Sequence, residues 1–216
     1  MNSNAPLSWT GERYMPGVDG NIALEHLHRY AIAAALVSGK TVLDIASGEG
    51  YGSRLLSSVA ADVTGIDLSD DAVAHARATY ASTRLRFLQG DCCDIPAQSA
   101  SFDVVVSFET LEHVADHERV YAELKRVLKP GGLLLISCPE KKTYSDDPGY
   151  SNPFHAHELY LAEFVELNSR HFAHCTFLQQ KIVHGSAICP IDAPMGSCGF
   201  LGAFGGLDGI QLSGRL

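Results

Sequence analysis

Hydrophobic residues in this chain fall in five short runs rich in Val, Ile, Leu and Phe: residues 42–45, 62–67, 85–91, 102–109 and 131–139. None has a helical period, which is the pattern of strands buried on both faces. Between them the spacing turns helical over 51–60, 69–80 and 116–128, and Lys129-Pro130-Gly131-Gly132 stops the last of these. Proline and glycine end a helix there and turn the chain into the fifth strand. Strict alternation of the two patterns predicts an α/β fold, a doubly wound parallel sheet. Ahead of it, a helix is predicted from Asn21, with Ile22, Leu24, Leu27, Tyr30 and Ala31 on its apolar face and Asp19 or Asn21 as N-cap. Behind it, a helix from Glu158 should turn Leu159, Phe164, Val165 and Leu167 inward. Residues 176–187 read as a sixth strand, one half of a C-terminal antiparallel hairpin, and 192–216 is glycine-rich with little alternation. Three parts follow: a leader loop and helix over 1–40, a main domain over 41–190, and a tail over 191–216, expected to be disordered or the start of a continuation.

The junction after the first strand carries the most chemistry. Asp44 lies within that strand, and Ala46, Ser47, Gly48, Gly50 and Gly52 follow it directly. Glycines there let the backbone turn tightly and approach a ligand, at the strand ends where open α/β sheets hold their ligands. A dinucleotide fingerprint would read G-x-G-x-x-G, whereas this chain has Gly48-x-Gly50-x-Gly52 with a carboxylate four residues earlier. A carboxylate repels phosphate but holds an ammonium group, so a ligand with an amino-acid end is favoured. Asp67 ends the second strand about 20 residues after the glycines, where nucleotide-binding units hold ribose hydroxyls, and Asp91 ends the third. Each acid alone is a plausible turn former, but three at successive strand ends point to one ligand.

Motif, acid, acid and Leu128-Lys-Pro-Gly-Gly132, in this order and spacing, resemble the class I S-adenosylmethionine-dependent methyltransferases over residues 41–138. By that resemblance Asp44, Ala46, Gly48 and Gly50 would surround the methionine part of the cofactor S-adenosyl-L-methionine. Asp67 would take the ribose hydroxyls with Leu68 beside the adenine, Asp91 and Cys92 would border the adenine ring, and Phe108 would lie near the sulfonium. Ala46 departs from the family, which usually has glycine there. The leader over 9–30 resembles that of methyltransferases of O-antigen and surface-polysaccharide biosynthesis, where it helps enclose the cofactor. Tyr14 and Arg29 are then expected to touch it, Arg29 through the cofactor carboxylate.

Methyl transfer from a sulfonium needs an aligned nucleophile and excluded water, and a sugar hydroxyl also needs a base within reach. His155 is the first candidate, because Pro153 and Phe154 stiffen a loop that leaves the fifth strand; Glu109 and His113 follow. The expected activity is O-methylation of a sugar or glycan. A small-molecule methyltransferase (metabolite, quinone or polyketide) and a non-catalytic cofactor-binding regulator are the alternatives. No metal is expected: His155, His157 and Glu158, or His113 with His117, supply no third well-spaced ligand.

Composition narrows the remaining choices. The 216 residues carry 16 Lys+Arg against 25 Asp+Glu, a formal charge of −9, with no basic stripe, so nucleic acid is not an expected substrate. Cysteines 92, 93, 138, 175, 189 and 198 form no C-x-x-C pair and no disulfide framework, which fits reduced thiols in a cytoplasm. No signal peptide is visible, and the longest apolar run near the N-terminus, 31–37, is too short for a membrane span. Nothing in the sequence fixes an oligomeric state.

Overall fold

The computed structural model describes Pro16, residues 20–183, and the strand backbones of 185–190 and 199–201. Tyr14, Asp19 and the tail beyond 201 lie outside the described residues. Five parallel strands form the central sheet: β1 (Thr41–Ile45), β2 (Asp62–Asp67), β3 (Leu85–Gln89), β4 (Phe102–Phe108) and β5 (Leu128–Ser137). Their order is β3-β2-β1-β4-β5, so the chain reverses direction across the sheet between β1 and β4. That reversal opens a crevice at the strands' carboxyl ends.

Alternation along the strands sends successive side chains to opposite faces. Leu43, Ile45, Ile66 and Val105 meet Val120, Tyr121, Leu124 and Val127 of α4 (His117–Val127) and Leu167 of α5 (Leu161–His171). Val42, Val63, Val104 and Val106 meet Tyr30, Ala33, Leu56, Val73 and Ala76. These last belong to α1 (Asn21–Leu36), α2 (Tyr51–Leu56) and α3 (Asp70–Tyr80). Asp44 shares the parity of Val42, so its carboxylate points toward α1 and α2. Helix starts follow local chemistry: Ser69 and Asp116 accept the amides of Ala72 and Arg119 at the N-termini of α3 and α4.

Four elements depart from expectation. The inward face of α1 is His28, Tyr30, Ala31 and Ala33, while Ile22, Leu24 and Leu27 are 36%, 39% and 38% exposed. The close seat of Tyr30 against α2 decides this. A Cβ added to Gly52 would lie 2.0 Å from the Tyr30 ring, so glycine there is what lets the aromatic sit on the helix. Secondly, Lys129-Pro-Gly-Gly is not a turn before the strand. β5 already starts at Leu128, paired with Phe102, and the register slips between Phe102 and Val104 to absorb the irregular stretch. Thirdly, the expected antiparallel hairpin is present, but the run read as its first strand, 176–187, already turns back on itself. It divides into β6 (Leu178–Val183) and β7 (Gly185–Pro190), which with β8 (Gly199–Leu201) form a separate antiparallel sheet. α5 starts at Leu161 with Tyr160 at its N-cap, so Glu158 precedes the helix, although Leu159, Phe164 and Leu167 do pack into the core as expected. Among the described residues no helix is long and apolar enough to cross a membrane.

Candidate active site

The crevice between β1 and β4 is a cleft of about 570 Å³. Its floor is the glycine turn. Ser47 donates its amide to Ile66 of β2 at 2.9 Å and accepts that of Gly50 at 3.1 Å, which folds Ala46, Ser47 and Gly48 over the strand ends. Ala46 and Gly48 hold left-handed backbone (φ 58° and 57°), and both line the cleft with Ser47 and Glu49. Gly50 is also left-handed but faces the core. A Cβ there would meet Ala76 at 2.8 Å and the Phe87 ring at 3.0 Å, so its glycine serves the packing of α2 on α3 and β3.

Asp44 is fully buried beneath this turn. Its carboxylate accepts the Ser53 hydroxyl at 2.6 Å and the Tyr30 hydroxyl at 3.1 Å. Burial pushes its pKa up to about 7 against the lowering effect of these two hydrogen bonds. It therefore supports the cleft from below and is not part of its wall. Asp67 is on the wall. One oxygen accepts the Gly48 amide at 2.7 Å and the other the Ser69 amide at 2.9 Å, tying the end of β2 to both neighbouring turns.

Phe108, at the end of β4, packs edge-on against Tyr30 at 5.2 Å and closes the cleft from the side. Glu109 follows in left-handed backbone (φ 51°), an uncommon state for a side chain of this size and one that recurs at functional sites. Its Oε1 accepts the Ser137 hydroxyl at 2.7 Å and lies 3.3 Å from Arg29 Nη1. Arg29 Nε donates to Gln180 of β6 at 2.8 Å, whereas its buried Nη1 faces Glu109 without a hydrogen bond. Leu68 is 67% exposed at the rim, and Asp91 and Cys92 also lie off the wall. Asp91 accepts the Cys93 amide in a local turn, and burial pushes the Cys92 thiol up to about 12.

The far end of the cleft is built by a turn after β4 and the loop before α5. The main-chain carbonyl of Glu112 accepts the amides of Ala156 (2.7 Å) and His157 (3.0 Å), and His113 Nδ1 donates to the Phe154 carbonyl at 3.0 Å. These bonds bring Glu112, His113, Phe154 and His155 onto one wall with Tyr144 and Pro139. His155 Nδ1 lies 2.6 Å from the Glu158 carboxylate, its Nε2 faces the Asn152 amide nitrogen at 3.1 Å, and its ring stacks on Tyr144. The expected proton-accepting role of His155 thus meets an imidazole with both nitrogens already engaged. His157 stacks on His117, whose Nε2 bonds the Leu111 carbonyl, so neither metal-ligand set considered from spacing assembles.

Several wall residues carry no motif. Glu49 accepts Tyr80 (2.7 Å) and His75 (2.9 Å) through Oε1, and its position between two glycines of the turn was the signal available. His26, four residues before Tyr30, bonds the Tyr51 hydroxyl at 2.9 Å. Glu25, raised by burial, lies beside it. Among the described residues the lining includes five carboxylates (Glu25, Glu49, Asp67, Glu109 and Glu112) and no lysine or arginine. Such a cleft favours a cationic ligand.

Comparison with known proteins agrees with this geometry. Residues 43–136 match the family model described as a methyltransferase domain. A protein of Mycolicibacterium smegmatis named a probable S-adenosylmethionine-dependent methyltransferase is 40% identical over 166 residues, covering 74% of this chain and 63% of its own length. A fatty-acid O-methyltransferase of the same species is 34% identical over 122 residues, 52% of this chain and 44% of its own. The crystal structure of the YcgJ protein of Bacillus subtilis superposes with a TM-score of 0.61 at 22% identity, covering 73% of this chain and 71% of the other, and shows the shared fold. The chain spans about three fifths of the length of the first curated relatives, 63% and 61%. A parallel sheet reversing between β1 and β4, a glycine turn over a buried acid, and these matches together show a methyltransferase domain over residues 43–136, with the Rossmann-like fold that S-adenosylmethionine-dependent methyltransferases share.

Proposed function

We propose that the chain is an S-adenosylmethionine-dependent methyltransferase that transfers the methyl group to a hydroxyl of a sugar or glycan. The observation that carries the acceptor class is the far wall of the cleft. Glu112 and His113 place polar edges there, and Tyr144 and the half-exposed Phe154 offer ring faces. Polyhydroxylated rings are held by that combination of polar edges and flat apolar surface. In this reading the cofactor lies over Ala46–Gly48, with its ribose hydroxyls on Asp67, and its positive charge suits the five wall carboxylates.

The chemistry asks mainly for alignment and exclusion of water. Glu109 sits where β4 ends, between the cofactor floor and the far wall, and its carboxylate is oriented by Ser137 and Arg29. It is the proton acceptor in this assignment, and His155, held by Glu158 and Asn152, positions the acceptor. A small apolar acceptor is the second reading, favoured by the relative named a fatty-acid O-methyltransferase. Incubation with S-adenosylmethionine and panels of sugars, glycans, fatty acids and quinones, read by S-adenosylhomocysteine release, separates the two. Methyl transfer confined to fatty acids or quinones would overturn the sugar assignment. With the productive acceptor, Glu109→Gln should lower turnover by about 10²-fold and leave cofactor affinity within about twofold. Unchanged turnover would remove Glu109 as base.

A further inference from the structure

Beyond methyl transfer, we propose that Glu112, His113 and His155 form a binding site for one divalent transition-metal ion at the far end of the cleft. One donor atom from each of the three lies within 4.8 Å of the other two. Imidazole nitrogens with a carboxylate suit zinc, iron, cobalt and related dications.

The orientation of the two imidazoles carries the assignment. A metal-bound histidine usually donates its other ring N–H to a carboxylate or a main-chain carbonyl, which fixes the tautomer. His113 does so through Nδ1 to the Phe154 carbonyl, and His155 through Nδ1 to Glu158. Both rings thus turn Nε2 away from these partners, and the His113 Nε2 lies 3.9 Å from Glu112 Oε1. The two rings meet edge-to-face at 5.1 Å. Neither arrangement depends on chance loop placement, because Ala156 and His157 grip the Glu112 carbonyl from the same loop that presents His155.

Donors bound at about 2.1 Å in a tetrahedron sit roughly 3.4 Å apart, so a cluster whose donors lie within 4.8 Å of one another needs a contraction of about 1.4 Å at most. Asn152 Nδ2, at 3.1 Å from His155 Nε2, gives way to the ion. The surrounding charge favours entry, since Glu109 lines the same cleft and, among the described residues, no lysine or arginine does. A second group of metal-ligating side chains, Asp91, Cys92 and Cys93, consists of adjacent residues in one turn. Burial there holds the Cys92 thiol in its protonated form, which is a poor ligand.

The site occupies the acceptor end of the proposed cleft, so the inference rests on that reading of which end holds the acceptor, while its test does not use turnover. The full chain, stripped with a chelator, is titrated with Co²⁺ and followed by visible absorption and calorimetry. One equivalent should bind with a d–d spectrum free of thiolate charge transfer, and Glu112→Gln and His113→Gln should each weaken it by about tenfold or more. Calorimetry with S-adenosylmethionine on the same samples checks that the variants are folded. No saturable binding, equal binding by both variants, or a thiolate band abolished by Cys92→Ser would overturn the metal site. Retained cofactor binding in that case leaves the methyltransferase reading standing; lost cofactor binding in the wild-type chain would instead bring down that reading.

Discussion

The two ends of the cleft are made in different ways. At the cofactor end, the buried acid, the turn and the helix that follows come from one stretch of about a dozen residues between β1 and α2, and Asp67 arrives by simple pairing of β2 with β1. At the acceptor end, no two elements near each other in sequence suffice. Glu109 and Glu112 leave β4, Tyr144 and His155 come from beyond β5, and Glu25 and His26 come from α1. The first end is fixed by covalent spacing and strand parity. The second exists only when the sheet and its loops have assembled, and its side chains are held by contacts with one another. A substitution at the first end should therefore change ligand affinity, and one at the second should change what happens to a ligand already bound.

The sharpest form of this contrast is Asp67→Ala, expected to weaken S-adenosylmethionine binding by about 2 kcal/mol, since it removes the tie to Gly48 and, in the proposed cofactor pose, the charge-assisted ribose hydrogen bonds. Titration calorimetry on the folded variant measures it, and unchanged affinity would reduce Asp67 to a turn residue. Glu158→Gln is the counterpart at the other end. It keeps the shape of the partner of His155 but not its charge, and should lower turnover about tenfold, roughly 1.4 kcal/mol, with cofactor affinity untouched. A matching loss of cofactor affinity would mean that the two ends are not separable. The smallest effect is a gain in stability. Left-handed backbone costs an alanine roughly 1–2 kcal/mol, and glycine's extra freedom in the unfolded chain offsets roughly 0.5–1 kcal/mol of the relief. Ala46→Gly should thus raise unfolding free energy by about 1 kcal/mol or less, read from urea midpoints. A loss would show that the Ala46 methyl packs usefully on the cleft floor.

The same contrast explains what could be read from sequence. Strands rich in Val and Ile, the glycine turn, and the acids Asp44 and Asp67 are local patterns, and all fall where the alternation of strand and helix put them. The face of α1 was not legible, because the helix is apolar nearly all round and several stripes are equally plausible. What selects one is Tyr30, whose ring needs the gap at Gly52 and whose hydroxyl needs Asp44. The partners of Arg29 were not legible for a related reason: Glu109 and Gln180 lie 80 and 151 residues away. Gly50 belongs to the motif yet serves the core, since a pattern of glycines does not say which of them faces a ligand. Glu112, His113 and His155 fail any test of ligand spacing along the chain, and only the loop that returns after β5 puts them side by side.

The double grip on the Glu112 carbonyl has a further consequence. Ala156 and His157 are exposed residues, yet their amide hydrogens are locked in short bonds to a buried turn. Surface amides otherwise exchange with solvent deuterium quickly, so slow exchange at these two positions would report closure of the acceptor loop. The pair is a built-in clock for how often that end of the cleft opens, legible by mass spectrometry without any substrate.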